Sequence, residues 1–384
     1  MSDFKLLVKT KLLSGLLLLP LLWSNAYAAP DPSQTCPRPN AIAKTFKSGA
    51  TWNLCAEWRA EEGLVLSQVY YAAPKKVARR VLGEASLAQL EEVFDSSDKK
   101  PVYGVTQQGL GRYAAPLTAA NCPQGNIKSL SNVNICRSTQ DSGYQYKYEN
   151  QRQGSFFELV THHNLAPRSY SVRWRFYENG IIEPALGISG QATSSNNVMD
   201  IFIAHAGWRL DFDLGTTGND DEILELTSVP SEDRLTKSVR IIPQGKEYGA
   251  TQDPDLKRSW VIRDGTTPYE GISVPAYDIV PSNYNYSRIN TLSEPWLQKD
   301  IYFSKYSACE RYASDNLLAN CPKRMNSTAR YIGNKEPIGN GSDTVVWYRQ
   351  SYHHLARSDD KVRLGTVWSS FQLVPRDWHS QNQF

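Results

Sequence analysis

The stretch "PRSYSVRWRFYENGIIEP", Pro167 to Pro184, decides how this chain is read. Tyr170, Val172, Trp174 and Phe176 fall at every second position, with Ser169, Ser171, Arg173 and Arg175 between them. A period of two is that of a half-buried strand, and Glu178-Asn179-Gly180 is a turn signal before a second apolar run. Extending the apolar phase backwards puts Arg168 on the inward face, at the mouth of a core strand. An inward arginine has two readings: it snorkels to the domain edge or pairs with a buried carboxylate, or it belongs to a ligand pocket.

Outward from this hairpin the same pattern recurs in "GLVLSQVYYA", "NVMDIFIAHAGWRLDFDL", "SVRIIP", "KDIYFSKY", "DTVVWYRQSY" and "TVWSSFQLVP". Many short alternating runs, turn residues between them and no strand–helix rhythm predict an all-β protein, a large antiparallel β-sandwich. The one convincing helical pattern is "SLAQLEEVF", Ser86 to Phe94, with Leu87, Leu90, Val93 and Phe94 on one side. The stretch from Thr266 to Ser293, rich in Pro, Tyr, Asn and Ser, reads as a long loop or hairpin arm. Ser138 to Asp141, "STQD", reads as a turn.

The first 28 residues read as a secretory signal peptide. Lys5, Lys9 and Lys11 precede a short apolar run, Leu12 to Trp23, and Ala26-Tyr27-Ala28 is a small-residue cleavage site. That run is too short for a membrane span, and no later segment approaches the required length. The expectation is a periplasmic or secreted protein whose residues 29–384 form a single domain. Net charge is +3 with acids and bases interspersed, so no nucleic-acid stripe stands out. Six cysteines fit an oxidising compartment and allow 15 pairings. Sequential pairing, Cys36–Cys55, Cys122–Cys136 and Cys309–Cys321, closes the shortest loops and is the expected set.

Several runs together resemble the catalytic domain of copper- and quinone-dependent amine oxidases. "EEGLVLSQVYYA" with "RRVLGEASLAQLEEVF", "YGVTQQGLGRYAAPLTAANC", "VNICRSTQDSGYQYK", "WRLDFDL", "QKDIYFSKYSACERYASDNL" and "DTVVWYRQSYHHLARSDD" follow that family's blocks in order. The resemblance runs from about Trp52 to Asn382, and it too implies the Cys122–Cys136 disulfide. It implies a homodimer joined through hairpin arms, for which Thr266 to Ser293 is the candidate.

It also implies a chemistry. Family members oxidise primary amines with topaquinone, made from a tyrosine in an "N-Y-[DE]-Y" run, beside copper held by three histidines, with a carboxylate as base. Aligned back from "FYENG", the cofactor position falls on Arg168, its preceding Asn becomes Pro167, and the later tyrosine is Tyr170. Two copper positions fall on Phe202 and Ala204, and the third is retained as His354. His205 is near, but strand parity puts it on the opposite face. The base position falls on Gly104, and the loop's following Glu on Gln107. His162/His163 and His353/His354 are adjacent pairs, each with one inward and one outward ring by alternation. A mixed metal site from His354 with His205 or His162 is the alternative to packed histidines.

The family's second, structural cation site maps onto Asp211, the carbonyl of Phe212, Asp213, Asp343 and the carbonyl of Thr344. Converging carboxylates with oxygen-only donors suit calcium; solvated edge carboxylates are the plain alternative. The sequence thus predicts an amine oxidase-like scaffold with calcium, without copper or topaquinone chemistry, and with an unknown small molecule bound in the vacated pocket. Two readings compete with it. One is an active oxidase with a shifted register, using Tyr170 as cofactor and His205, His354 and a third histidine as ligands. The other is an enzyme of different chemistry that uses Arg168 to hold an anionic substrate.

Overall fold

The computed structural model describes residues 36–378, apart from residues 38, 96–99, 192–200, 216–217, 231–236, 266–273, 282–293, 316–317, 323–325, 340 and 361. The proposed leader lies outside the described residues. In chain order the first strands are β1 (Ala41–Thr45), β2 (Thr51–Arg59), β3 (Gly63–Ala72), β4 (Arg79–Phe94) and β5 (Val102–Tyr103). Then follow β6 (Gly125–Leu130), β7 (Val133–Lys147), β8 (Gln151–Leu165), β9 (Arg168–Tyr177) and β10 (Ile182–Gln191). The middle of the chain supplies β11 (Phe202–Gly215), β12 (Glu222–Pro230), β13 (Lys237–Gln244), β14 (Tyr248–Ala250) and β15 (Ser259–Arg263). The last are β16 (Ala276–Val280), β17 (Ile301–Lys305), β18 (Thr344–His354), β19 (Arg363–Ser370) and β20 (Gln372–Arg376). One four-residue helix, α1 (Thr328–Tyr331), is the only α-helix among the described residues.

These strands form two antiparallel sheets, as the alternation predicts. The nine-stranded sheet runs β1-β2-β3-β4-β11-β18-β17-β14, with β5 beside β4. The eleven-stranded sheet runs β13-β12-β15-β16-β20-β10-β9-β8-β7-β6, with β19 beside β10. Their inner faces share one core, in which Trp174 of β9 meets Trp208 of β11 edge-on at 5.2 Å and Phe176 meets Trp52 at 5.1 Å. The β9–β10 turn uses Gly180 at φ +92°, where a Cβ would lie 2.8 Å from the Tyr71 ring. That position therefore demands glycine on two counts. All three disulfides form as expected, Cys36–Cys55, Cys122–Cys136 and Cys309–Cys321.

Four local expectations need correction. Ser86 to Phe94 is no helix but the second half of β4, a central strand between β3 and β11. Bulges in its pairing with β11 put Leu82, Ala85, Leu87 and Leu90 all opposite core residues. Leu87 and Leu90 thus share a face at a spacing of three, which imitates a helix. Ser138 to Asp141 is no turn but part of β7: Asp141 accepts a hydrogen bond from the Gly143 N–H at 2.7 Å within a register shift. Asx-turn chemistry makes a bulge there rather than a reversal.

"TVWSSFQLVP" is two strands, because β10 pairs with β19 from Ala185 onward and with β20 at Ile182. Pro184 stands between them with no N–H to offer the ladder, and Phe371 leaves the sheet for the core. Within Thr266–Ser293, residues Ala276–Val280 are β16, paired on both sides and carrying the fully buried Tyr277. Residues 266–273 and 282–293 lie outside the described residues.

Candidate functional site

The hairpin of the opening stretch delivers Arg168 to the end of the sandwich. Leu165 pairs with Arg168 across a two-residue turn, Ala166-Pro167, joined by a cis peptide bond. β9 then points Arg168, Tyr170 and Val172 inward, beside His163 and Leu165 of β8. From the opposite sheet β4 presents Glu92, β11 presents Phe202 and Ala204, and β18 presents His354.

Arg168 is 3% exposed and pairs with a buried carboxylate, one of the two plain readings of its sequence position. Its Nε donates to Glu92 Oε1 at 2.8 Å and its Nη1 to the Gln191 carbonyl at 3.3 Å. The guanidinium lies 4.7 Å from the centre of the Phe202 ring, a cation–π distance. The Tyr170 hydroxyl donates to the other Glu92 oxygen at 2.5 Å. One buried carboxylate therefore holds both a cation and a phenol. Burial, then the Glu92 charge, raises the Tyr170 phenol well above its ordinary titration range, so it stays protonated.

Sequence reasoning missed Glu92. The signal was present: Glu91 and Glu92 adjoin in an otherwise apolar run, and in a strand one of two neighbours must point inward. Reading that run as a helix hid it.

The expected positions distribute as follows. His354 is 1% exposed and stacks on Phe202 with ring centres 5.0 Å apart; its Nε2 lies 3.6 Å from Asp360 Oδ2. Burial holds its pKa below the usual value, opposed by the Asp360 charge. His205 is fully buried on the opposite face of β11, where Nδ1 meets Ser351 Oγ at 2.8 Å. His163 stacks on Trp58 and Nδ1 meets the Leu110 carbonyl at 2.9 Å, while His162 lies on the outer face against Ser171. The structure does not bring these rings together, and the two alternating pairs behave as packed and outward histidines. Among the described residues no three His, Cys, Asp or Glu side chains are placed to hold a metal ion. Among the described residues, His162, His163, His205 and His354 do not form a three-imidazole copper centre.

Gly104 is buried with its N–H on the Leu90 carbonyl, and a Cβ there would lie 2.9 Å from Leu90 Cδ2. Gln107 is exposed and donates to Asp315 at 3.2 Å. Neither is a carboxylate, and neither contacts the Arg168 cluster. Beside Arg168 a solvent-open cleft of about 430 Å3 is lined by Asn164, Pro167, Ser169, Ser189, Gln191 and Arg363.

The aspartates gather on the outer face of β11. Asp211 and Asp343 interact directly, and Arg80 Nη1 reaches Asp213 Oδ2 at 2.6 Å. Burial raises Asp343 to about 6 and raises Asp211 well above its usual value, with neighbouring carboxylate charge adding to both. One oxygen of Asp211 and one of Asp343 are buried without a hydrogen-bond partner. Phe212 sends its ring into the core, leaving only its main chain at this level. Two orphaned carboxylate oxygens beside a third carboxylate are the donor chemistry a hard cation neutralises, but the three side chains as they stand are not placed to hold one. Arg80 pairs with Asp213, and Arg209 lies 3.5 Å from Asp211.

Comparison with known proteins agrees with this architecture. Residues 205–384 match the model of the copper amine oxidase enzyme domain. The chain is 23% identical over 255 residues to the copper-containing amine oxidase gamma 2 of Arabidopsis thaliana, covering 56% of this chain and 36% of that protein. It is 21% identical over 392 aligned positions to the primary amine oxidase of Arthrobacter sp. strain P1, covering 87% of this chain and 59% of that one. Among solved structures, the copper-containing benzylamine oxidase of Hansenula polymorpha superposes with a TM-score of 0.71 at 17% identity, over 86% of this chain and 59% of the other. The chain thus spans from about a third to three-fifths of the length of these proteins.

Proposed function

We propose that this chain, which belongs to the copper amine oxidase catalytic-domain family, is an exported member that does not run copper and topaquinone chemistry and serves as a ligand-binding or repurposed scaffold. The observation that carries this reading is the closed cluster of Arg168, Glu92 and Tyr170, in which a guanidinium occupies the aligned cofactor position and its charge is spent on a buried carboxylate. A guanidinium cannot be oxygenated to a quinone. Phe202 and Ala204, aligned with two copper ligands, offer no donor side chain.

The ligand pocket of this reading is the cleft beside Arg168, whose lining is part polar and part apolar. Arg168 itself is ill suited to hold an anionic substrate, because Glu92 already neutralises it. The Asp211, Asp213 and Asp343 group, with the carbonyls of Phe212 and Thr344, is assigned a structural calcium ion. A homodimer and an oxidising extracytoplasmic compartment complete the reading; the three disulfides support the latter. No helix among the described residues is long and apolar enough to cross a membrane.

The deciding experiment is elemental analysis of the purified protein together with a redox-cycling quinone stain. Calcium without stoichiometric copper, and no stain, is the expected result. One observation favours the competing reading of an active oxidase: Tyr170 is an inward phenol with a carboxylate at 2.5 Å. That reading requires about one copper per chain and hydrogen peroxide release from primary amines, abolished in Tyr170→Phe; this outcome would overturn the proposal.

A further inference from the structure

At the far edge of the sandwich, three cations face one another, and among the described residues no acid lies between them. β1 is the edge strand of one sheet and β6 the edge strand of the other. On β1, Lys44 follows the buried Ile42 by two residues and so projects toward the inside. On β6 and β7, Lys128 pairs with the buried Ile135, and Arg137 pairs with Asn126 one step further out on that same inner face. On one sheet Lys44 lies between the core residues Ile42 and Phe46, and on the other Lys128 and Arg137 lie beyond the core residues Leu130 and Ile135.

The space between is a groove of about 710 Å3, open to solvent, and among the described residues no carboxylate lines it. Arg137 is held in place: Nη2 donates to the Ala43 carbonyl at 2.9 Å, and its guanidinium lies 5.4 Å from the Phe157 ring centre. Lys44 sits 5.3 Å from the Phe46 ring centre. Burial, and then repulsion from Arg137, lowers the pKa of both lysines, with no acid opposing it. Like charges gathered on inward faces without a counter-charge oppose folding unless an anion fills the gap. Gly125, Asn126, Ile127 and Thr139 are among the other residues that line it.

We propose that the groove between β1 and β6 binds a tetrahedral oxyanion, phosphate or sulfate, either free or as the end group of a small ester, through Lys44, Lys128 and Arg137. Arg137 supplies the planar fork and the two lysines supply mobile point charges, the usual division of labour in phosphate recognition. The site lies apart from the Arg168 cluster and does not depend on how that cluster is read.

The test is titration calorimetry of the full chain with inorganic phosphate, inorganic sulfate and glycerol 3-phosphate, at ionic strength held constant with chloride. A Lys44→Gln/Lys128→Gln double variant is compared with Arg137→Lys, which keeps the charge. Millimolar or tighter binding is expected, weakened at least about tenfold in the double variant, since loss of one charge-assisted hydrogen bond already amounts to about 1.5–3 kcal/mol. Arg137→Lys should retain weakened binding. Phosphate should raise the Tm of the wild type and not of the double variant. Tighter binding of the ester than of the free ions identifies an ester as ligand; equal binding identifies the free ion. If the wild type binds none of the probes, or the double variant binds as well as the wild type, the proposal fails. The cations would then serve only to keep the two strand edges from pairing with other chains.

Discussion

Arg168 and Glu92 reach across the sandwich from opposite sheets and meet at 2.8 Å, with both side chains at most 2% exposed. Tyr170 completes the group from the same strand as Arg168. This contact is buried between the two sheets, and it governs what substitutions there will do.

Removing one partner of this pair strands a buried charge. Arg168→Met is expected to cost about 3–5 kcal/mol in urea unfolding, as is typical when a buried pair is broken on one side. Arg168→Met with Glu92→Leu should cost clearly less than the sum of the single changes. Additive costs would mean that the two groups do not interact in solution.

Calcium is expected to raise the Tm, and a chelator to lower it, by an amount that grows with the logarithm of free calcium. Asp343→Asn should abolish the response by removing the charge from one of the two carboxylates that carry an unpartnered oxygen. Asp213→Asn should leave part of it, because Arg80 already occupies that side chain. A Tm indifferent to calcium in the wild type would return these residues to the status of edge carboxylates.

The pH dependence has opposite signs on its two sides. Glu91 is fully buried, accepts a hydrogen bond from the Trp296 indole, and is raised by burial from 4.5 to about 8. The folded chain therefore binds more protons than the unfolded chain between those values, and this contribution is lost as pH rises through 8. Burial lowers His163 to about 4 and His205 to about 3, from 6.5. Here the unfolded chain binds more protons, so stability falls as pH drops below 6.5 toward those values. Glu91→Gln keeps an acceptor for Trp296 and should lessen the fall in stability between about pH 4.5 and about pH 8, with Glu310, also raised to about 8, keeping part of it. Where the two limbs overlap, between about pH 4.5 and about pH 6.5, the histidine contribution should show more plainly in the variant. Urea midpoints from about pH 3 to about pH 9 check both limbs.

The Cys122–Cys136 bridge closes a short loop, with a sequence separation of 14, beside the edge hairpin of β6 and β7. Replacing both cysteines by serine is expected to cost about 3 kcal/mol, the chain-entropy value for a loop of roughly 15 residues. Calorimetry of the double variant measures it. An unchanged stability would mean that the hairpin is already restrained in the unfolded chain.

Much of the architecture was legible in the residue order. A period of two needs no tertiary information, since side chains alternate in any strand, and it sufficed for the sandwich, the β9–β10 hairpin and the inward direction of Arg168 and Tyr170. Sequential pairing of cysteines followed from loop length. The errors fell where local chemistry has two outcomes. A bulge in β4 gave Leu87 and Leu90 a helical spacing, and Asp141 with Gly143 made a bulge out of turn residues.

What only the folded chain decided is which residues from distant segments share a space. Glu92 lies 76 residues before Arg168, and no local period links them. Lys44, Lys128 and Arg137 read as scattered surface cations until two sheet edges bring them to one groove. Alternation assigns a side chain to a face; its partner across the core depends on sheet order and register, which are set by the packing of the whole chain.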